Sequence, residues 1–234
     1  MGRATIVVAR IGTTDYTTLN AAAAAVPVGT PTTIEILENL NFYDIAQSNI
    51  QNKTITFTGT ATDTLTLTNA AHPQTNASGA DLTFENITLK NDMTSDVYRG
   101  IIHVNKVTIN DCEILGFMMG YAEQFTCNNC TFTKTGKYHM WTYGSHCTFN
   151  SCTFNSYNNS DCKAINVYKE GGLSQPFKVI TFNDCSFNSI PAVTTLDNSA
   201  IQINSQLCCF VVTVNNCSVN GYRSEEHTSE LQSR

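Results

Sequence analysis

The chain has 234 residues, of which 41% are apolar, 14% are charged, 33 are Thr and 25 are Asn. This composition supports one domain with a core, and it favours strands and turns over coiled coils or helical bundles. A net charge of −6 offers no basic surface for nucleic acid, and no apolar run approaches the roughly 18 residues that span a bilayer.

The N-terminal part predicts one helix followed by strands. Residues Asp15–Val26 have the composition of a helix, with Asp and Thr available as N-caps and Pro27 ending it. Thr33–Leu37 and Lys53–Thr68 alternate polar and apolar residues, which predicts the first strands. We expect the helix to cover those strands, whose free edges would otherwise pair with other chains.

An eight-residue repeat dominates the rest of the chain. Its first positions are 25, 18, 22, 33 and 32 residues apart. Such internal repetition is typical of solenoid proteins, in which each unit stacks on its neighbours. The six copies, called repeats 1 to 6 below, are Leu82–Leu89, Val107–Ile114, Phe125–Phe132, Cys147–Phe154, Ile180–Phe187 and Val212–Val219.

Each repeat has apolar residues at positions one, three, six and eight, around a polar pair. This pattern predicts two short strands joined by a tight bend. Asn stands at position four in five copies, and we expect it to make the bend because Asn tolerates a left-handed backbone. A strand–bend–strand unit cannot bury its apolar face alone, so the copies must stack. The predicted fold is all-β, a right-handed parallel β-helix with a short N-terminal capping helix.

A further short strand precedes four of the repeats, and aligning these strands by their apolar residues predicts two outward rows. We interpret these rows as a carbohydrate-binding face, since sugar rings stack on aromatic side chains and amides bond to hydroxyls. The alternative is a surface ladder that only stabilises the fold. The predicted ligand-binding residues are His103, Trp141, Asn166 and Gln202 in one row and Tyr143 and Tyr168 in the next.

Seven of the ten Cys residues occupy predicted inward positions of the repeats. We therefore interpret them as buried thiols that act as small apolar side chains. Disulfides and a metal site are the alternatives, because ten Cys residues also allow either. Cys162, Cys208 and Cys209 are not placed by the repeat.

No catalytic residue and no cofactor is assigned. Glycoside hydrolysis needs two carboxylates about 5–10 Å apart, and the pattern brings no such pair together. Lys163 and Lys169 flank the strand that carries Tyr168, but exposed lysines usually serve solubility. His139 and His146 lie on either side of Trp141, and we expect both on the surface rather than in a metal site.

Residues 223–234 differ in character from the rest of the chain. The segment RSEEHTSELQSR has three Glu, one large apolar residue and no repeat pattern, and it resembles the translated read-through of a sequencing adapter. We therefore expect residues 1–222 to form a single domain, truncated at its C-terminus, and residues 223–234 to be an artefact.

Two resemblances follow from these segments. Asp15–Ala22, Pro27 and the strand at Thr33–Leu37 resemble the opening of pectinesterases, which implies a pectin-lyase-like fold. The catalytic motifs of that family are missing, so its activity is not implied. Nearly all of residues 4–222, including Val8–Leu19 and Trp141–Gly144, resembles modules of large bacterial surface proteins, which in turn resemble adhesins or glycan-contacting scaffolds.

We therefore expect a non-catalytic extracellular or cell-surface module that presents a stacked outer face to a polysaccharide, a host glycan or a protein. No signal peptide is visible. One alternative is a carbohydrate-active enzyme of the pectin-lyase-like superfamily whose catalytic residues lie outside this sequence. Another is a segment of a phage tail fibre, which would form a trimer.

Overall fold

Parallel strands stacked in register make up most of the structure, which is a computed structural model. The strands and bends of the six repeats lie where the repeat pattern predicts them. The structure describes residues 4–8, 16–67, 74–91, 101–116, 118–120, 122–134, 138–142, 146–157, 163–169, 178–190, 199–205 and 210–222.

The N-terminal part contains strands and one short helix. The helix α1 (Leu19–Ala25) follows the first strand, and two 3-10 turns cover Phe42–Asp44 and Gln47–Asn49. The strands are β1 (Ala4–Val8), β2 (Thr32–Ile36), β3 (Leu40–Asn41), β4 (Thr54–Thr58), β5 (Thr64–Thr66), β6 (Gln74–Glu85) and β7 (Thr88–Lys90).

The described residues after β7 contain strands and turns only. In the middle of the chain these are β8 (Ile101–Asn110), β9 (Glu113–Leu115), β10 (Met118–Gly120), β11 (Gln124–Asn128), β12 (Thr131–Lys134), β13 (Tyr138–Trp141), β14 (His146–Asn150) and β15 (Thr153–Ser156). The last six are β16 (Lys163–Lys169), β17 (Lys178–Asn183), β18 (Ser186–Ser189), β19 (Ser199–Ser205), β20 (Phe210–Asn215) and β21 (Ser218–Asn220).

These strands form three ladders, in which every recorded pairing is parallel. Ladder 1 contains the first halves of β6 and β8, then β10, β13, β16 and β19. Ladder 2 contains β1, β2, β4, the second halves of β6 and β8, then β11, β14, β17 and β20. Ladder 3 contains β3, β5, β7, β9, β12, β15, β18 and β21. The predicted all-β architecture of stacked parallel strands is therefore confirmed.

Each repeat supplies one strand to ladder 2 and the next strand to ladder 3. Equivalent positions are register partners, so Phe125 pairs with Cys147 and Cys147 pairs with Ile180. The four apolar positions of repeat 4 (Cys147, Phe149, Cys152 and Phe154) are all buried. The strand–bend–strand prediction is therefore confirmed.

The bend itself differs from the prediction in one respect. The residue with a left-handed backbone is at position five, where φ lies between 51° and 59° in all six repeats. The Asn at position four instead joins a side-chain ladder, in which Asn150 Nδ2 donates to Asn128 Oδ1 at 2.7 Å and Asn183 Nδ2 to Asn150 Oδ1 at 2.8 Å. A polar group in the bend thus bonds to the neighbouring repeat, which supplies a partner at every level of the stack.

Aromatic rings fill the interior between ladders 2 and 3. Phe149 stacks on Phe182 with ring centroids 4.9 Å apart, and Phe154 stacks on Phe187 at 4.8 Å. These separations match the strand spacing of about 4.8 Å, so stacking of rings follows directly from the parallel register.

The helix is shorter than the predicted segment Asp15–Val26. It begins after Thr18, whose side chain accepts a hydrogen bond from the Ala21 amide, and Asp15 lies outside the described residues. Leu19, Ala22 and Ala23 join the hydrophobic core. The helix packs against β1, the terminal strand of ladder 2, as the predicted cover requires.

Candidate functional site

Three of the predicted ligand-binding residues lie side by side in ladder 1. Trp141 on β13 pairs with Asn166 on β16, and Asn166 pairs with Gln202 on β19. Residues in register on adjacent parallel strands project to the same side, so one aromatic and two amide side chains share a surface. The pairing of these three residues is the one expected, but Asn166 is buried instead of lying on an exposed outer face, and the role of the row in binding stays a prediction.

Tyr138, which the sequence analysis did not single out, links the two ends of this row. Its ring meets the Trp141 ring edge to face, with centroids 5.4 Å apart and an angle of 84° between the ring planes. Its hydroxyl lies 3.3 Å from Gln202 Oε1, to which it donates. Since β16 lies between β13 and β19, the tyrosine side chain crosses the strand that carries Asn166. We call Tyr138, Trp141, Asn166 and Gln202 the aromatic–amide cluster.

Asn166 is the most enclosed member of the cluster, with 1% of its surface exposed. Its Oδ1 is buried and has no hydrogen-bond partner in the described part of the chain, and neither has the hydroxyl of the buried Thr142 in the same region. Thr142 and Asn166 are also joined through the main chain by a 3.0 Å bond from the Thr142 amide to the Asn166 carbonyl. A buried polar atom without a partner costs about 1–3 kcal/mol, so a donor that reached Asn166 would be bound favourably.

His103 does not belong to the row of Trp141, contrary to the expectation. Ile101 pairs with Met119, and Met119 pairs with Trp141, so Ile101 takes that place. The strand β10 was not predicted, and alternation of apolar residues defines a register only to within two residues. The side chain of His103 lies outside the described residues.

The second predicted row is described only in part. Tyr168 on β16 pairs with Asn204 on β19. Their side chains, and Tyr143 as a whole, lie outside the described residues. The proposed role of this row in binding stays a prediction.

His139 is buried, which corrects its expected position on the surface. Its ring is 1% exposed and lies among Phe132 and Phe154, with centroid separations of 6.4 and 6.1 Å. Its Nε2 shares a 2.8 Å hydrogen bond with the Ser156 hydroxyl, which also bonds to the Tyr222 hydroxyl at 2.9 Å. Burial, with a smaller contribution from the charge of Lys134, lowers the pKa of His139 to about 3.

His146 is half-buried and has a structural bond. Its Nδ1 accepts from the Val179 amide at 3.2 Å. The neighbouring Lys178 is almost fully buried and lies 3.3 Å from Glu123 Oε1. These contacts join successive strands of ladder 2, so they account for His146 without a ligand.

The Cys residues of the repeats are free thiols, as expected. Cys152 Sγ donates to the Asn150 carbonyl at 3.4 Å, and the other position-six thiols make the same contact. Burial raises the pKa of Cys112 to about 12, so this thiol stays protonated and unreactive. Cys162, Cys208 and Cys209 lie outside the described residues. The free thiols are Cys112, Cys127, Cys130, Cys147, Cys152, Cys185 and Cys217.

Two carboxylates at the bends of the repeats take part in side-chain hydrogen bonds between repeats. Asp111 and Asp184 accept side-chain hydrogen bonds from Asn129 and Asn216 of the following repeats, at 2.7 and 2.6 Å. Lys163 is buried in the row of Tyr138, and the side chain of Lys169 lies outside the described residues. The described part of the chain also holds no group of three or more His, Cys, Asp or Glu side chains that could bind a metal ion.

Comparison with known proteins adds no relative. No model of a protein family matches the sequence, and no curated protein matches it. Among the described residues, no helix has the length and apolar character needed to cross a membrane.

Proposed function

We propose that the chain is a non-catalytic, adhesin-like β-helix module of a cell surface that binds glycan through the aromatic–amide cluster. In this proposal the stacked ladders wind as a right-handed parallel β-helix of the pectin-lyase-like kind. The observation that carries the proposal is the row of Trp141, Asn166 and Gln202, with an unpartnered amide oxygen at its centre.

The cluster combines the two kinds of contact that a sugar needs. Trp141 is half-buried, so part of its ring surface is open to stack on a pyranose ring. Gln202 uses Oε1 as the acceptor for Tyr138, and the two N–H donors of its Nε2 take no part in that bond. An apolar ring beside amide donors and acceptors is the arrangement typical of a site for a neutral, hydroxyl-rich ligand.

Tyr138 is the element that we expect to move. The hydroxyl–amide distance of 3.3 Å is longer than the 2.5–3.0 Å usual for a hydroxyl donor, so this bond is weak. Turning the Tyr138 side chain away would expose Asn166, and a sugar hydroxyl could then donate to Asn166 Oδ1. The net charge of −6 favours a neutral glycan over a uronic polymer.

Affinity electrophoresis in gels that contain a neutral polysaccharide or a uronic polymer tests this function. We expect retardation by at least one neutral polysaccharide, and Trp141→Ala should weaken that affinity at least tenfold, about 1.4 kcal/mol. Tyr157, which is also partly exposed but lies at the end of β15 in ladder 3, supplies the matched control Tyr157→Ala. Equal retardation of the chain and of Trp141→Ala would contradict the proposal.

Asn166→Leu separates binding from folding. The substitution has similar volume and removes the unpartnered oxygen, so the free energy of unfolding should stay equal or rise. Loss of polysaccharide binding with an unchanged unfolding midpoint is the expected result. Unchanged binding would show that Asn166 takes no part in the site.

A further inference from the structure

A single row of Thr residues runs along the outside of ladder 2. Thr occupies position two of all six repeats and the equivalent position of β2 and β4, and each Thr is the register partner of the next. Positions one and three point inward, since Val107 and Ile109 on either side of Thr108 are buried. We call these eight residues the threonine row: Thr33, Thr56, Thr83, Thr108, Thr126, Thr148, Thr181 and Thr213.

Strand propensity alone does not account for the threonine row. The corresponding outward row of ladder 3, at position seven of the repeats, is interrupted by Glu113, which pairs with both Thr88 and Thr131. That row then ends in Ser186 and Ser218. Strand propensity and stacking act alike on both rows, because they belong to the same repeats. The uninterrupted row of ladder 2 therefore indicates a role that ladder 3 does not share.

The threonine row presents ordered hydroxyl and methyl groups at a regular spacing. Its six members in the repeats are half-buried, and their hydroxyls form no hydrogen bond with another described residue. A β-branched side chain has few rotamers in a strand, so both groups hold fixed positions. Neighbours in the row are about 4.8 Å apart, and the Asn row at position four lies about 6.6 Å further along the strands. The outer face of ladder 2 is thus a two-dimensional grid of polar groups.

The part of this face from β11 to β20 has no Lys, Arg, Asp or Glu and no Phe, Tyr or Trp. Thr and Asn fill positions two and four there, and the residue before position one is Gln124, His146, Val179 or Val211. Protein partners are usually anchored by aromatic or Arg side chains, and sugar rings stack on aromatic faces. A single hydroxyl gains little by exchanging its bond to water for another bond. A ligand of this face must therefore engage many hydroxyls at once and at their own spacing.

We propose that the outer face of ladder 2 binds ice through the threonine row and the Asn row beside it. Water molecules at a face of ice lie on a regular lattice with spacings comparable to those of this grid, and each offers hydrogen-bond donors and acceptors. The Thr hydroxyls bond to lattice water, and the Thr methyl groups displace liquid water between them. Each Asn also contributes, because its amide keeps a second N–H after the bond to the preceding repeat, as in Asn150 to Asn128.

Partition of the full chain into slowly growing ice tests the proposal. A dilute solution of the chain and of a reference protein without affinity for ice is partly frozen, and both proteins are then measured in the ice and in the liquid. We expect the chain to be enriched in the ice at least tenfold over the reference, because growing ice excludes solutes that do not bind to it. The outcome does not depend on the aromatic–amide cluster, which lies in ladder 1.

Two Lys substitutions in repeat 4 locate the surface. Thr148→Lys places a charge in the middle of the threonine row and should lower the enrichment at least tenfold, because the ammonium group loses its hydration against ice. Thr153→Lys is the matched control, since Thr153 is also half-buried but lies on β15 in ladder 3, and it should partition as the unchanged chain does. Circular dichroism checks the fold of both variants. Thr148→Ser removes only the methyl group, and we expect it to lower the enrichment by a smaller factor without disturbing the fold.

Three results would overturn the proposal. One is exclusion of the unchanged chain from ice to the same degree as the reference protein. Another is an equal loss of enrichment in Thr148→Lys and Thr153→Lys. The third is retention on an insoluble neutral polysaccharide that Thr148→Lys abolishes, without enrichment in ice, because the face would then bind glycan.

Discussion

The first and the last layers of the described stack differ in how much of their apolar surface is covered. At the N-terminal end, α1 buries Leu19, Ala22 and Ala23 against the first strands. At the C-terminal end, Val214 and Val219 stay about half exposed in positions that are sealed elsewhere. The comparison shows that an identical sequence pattern yields a core only where another layer lies on it, because each unit contacts only its neighbours.

A buried lysine holds α1 against the N-terminal strands of the stack. Lys53 Nζ donates to the Ala23 carbonyl at 2.8 Å and to the Ala24 carbonyl at 3.3 Å. The last carbonyls of a helix have no partner within the helix, and a cation there also interacts favourably with the helix dipole. Burial lowers the pKa of Lys53. A seven-residue helix is thus held by tertiary contacts rather than by its own stability.

Two valines at position one of their repeats provide the largest test of this comparison. Val107 in repeat 2 is fully buried, and Val212 in repeat 6 is partly exposed. Val107→Ala should lower the free energy of unfolding by about 2–3 kcal/mol, and Val212→Ala by less than about 1 kcal/mol. Urea unfolding followed by the fluorescence of the single Trp measures both. Equal losses would show that the C-terminal end is covered in solution.

A pH titration of stability addresses a chain of hydrogen bonds that runs from the C-terminal part of the stack to a buried histidine. Tyr222 reaches Ser156, and Ser156 in turn bonds to His139. The pKa of His139 is about 3 in the fold against an ordinary value of 6.5, so between these values the unfolded chain binds more protons. His139 therefore contributes stability above pH 6.5 that is lost progressively as the pH falls toward 3.

The free energy of unfolding that His139 contributes should fall by about 2 kcal/mol between pH 7 and pH 5. His139→Phe keeps an aromatic ring beside Phe132 and Phe154 and should flatten the stability profile between pH 7 and pH 5. A slope that survives His139→Phe would assign the acid sensitivity to other groups.

The Asn ladder supplies the smallest expected effect. Asn150 both donates to Asn128 and accepts from Asn183, whereas Asn215 donates to Asn183 and receives no bond from a described residue. We expect Asn150→Ala to cost about 1–2 kcal/mol and Asn215→Ala about half as much, because one bond is lost instead of two. Thermal unfolding of the two variants measures the difference, and equal shifts would argue against a directional ladder.

The strands and their order were predictable because the apolar positions of the repeat define how successive copies align. Positions one, three, six and eight are apolar in each copy, and only one alignment of the copies buries all of them. The row of Trp141, Asn166 and Gln202 followed from the same logic. His103 was misplaced because β10 has only three residues and gave no repeat signal.

Burial of single polar residues was not predictable. His139 and Tyr138 are neighbours in one short strand, yet the His139 ring lies among interior phenylalanines and the Tyr138 hydroxyl bonds to Gln202. The local sequence Tyr-His-Met-Trp does not state which side chain turns inward.

The sequence by itself determined which side chains stack on one another in the ladders. Equivalent positions of the repeats lie in register at the strand spacing, whatever the length of the loops between them. Only the tertiary structure decided which repeats have buried apolar positions, which histidine is buried and which amide oxygen lacks a hydrogen-bond donor. Those outcomes depend on residues far apart in the chain, such as Tyr138 and Gln202 or Ser156 and Tyr222. Whether two such residues come into contact depends on how many strands of the stack lie between them, and the local sequence pattern does not specify that number.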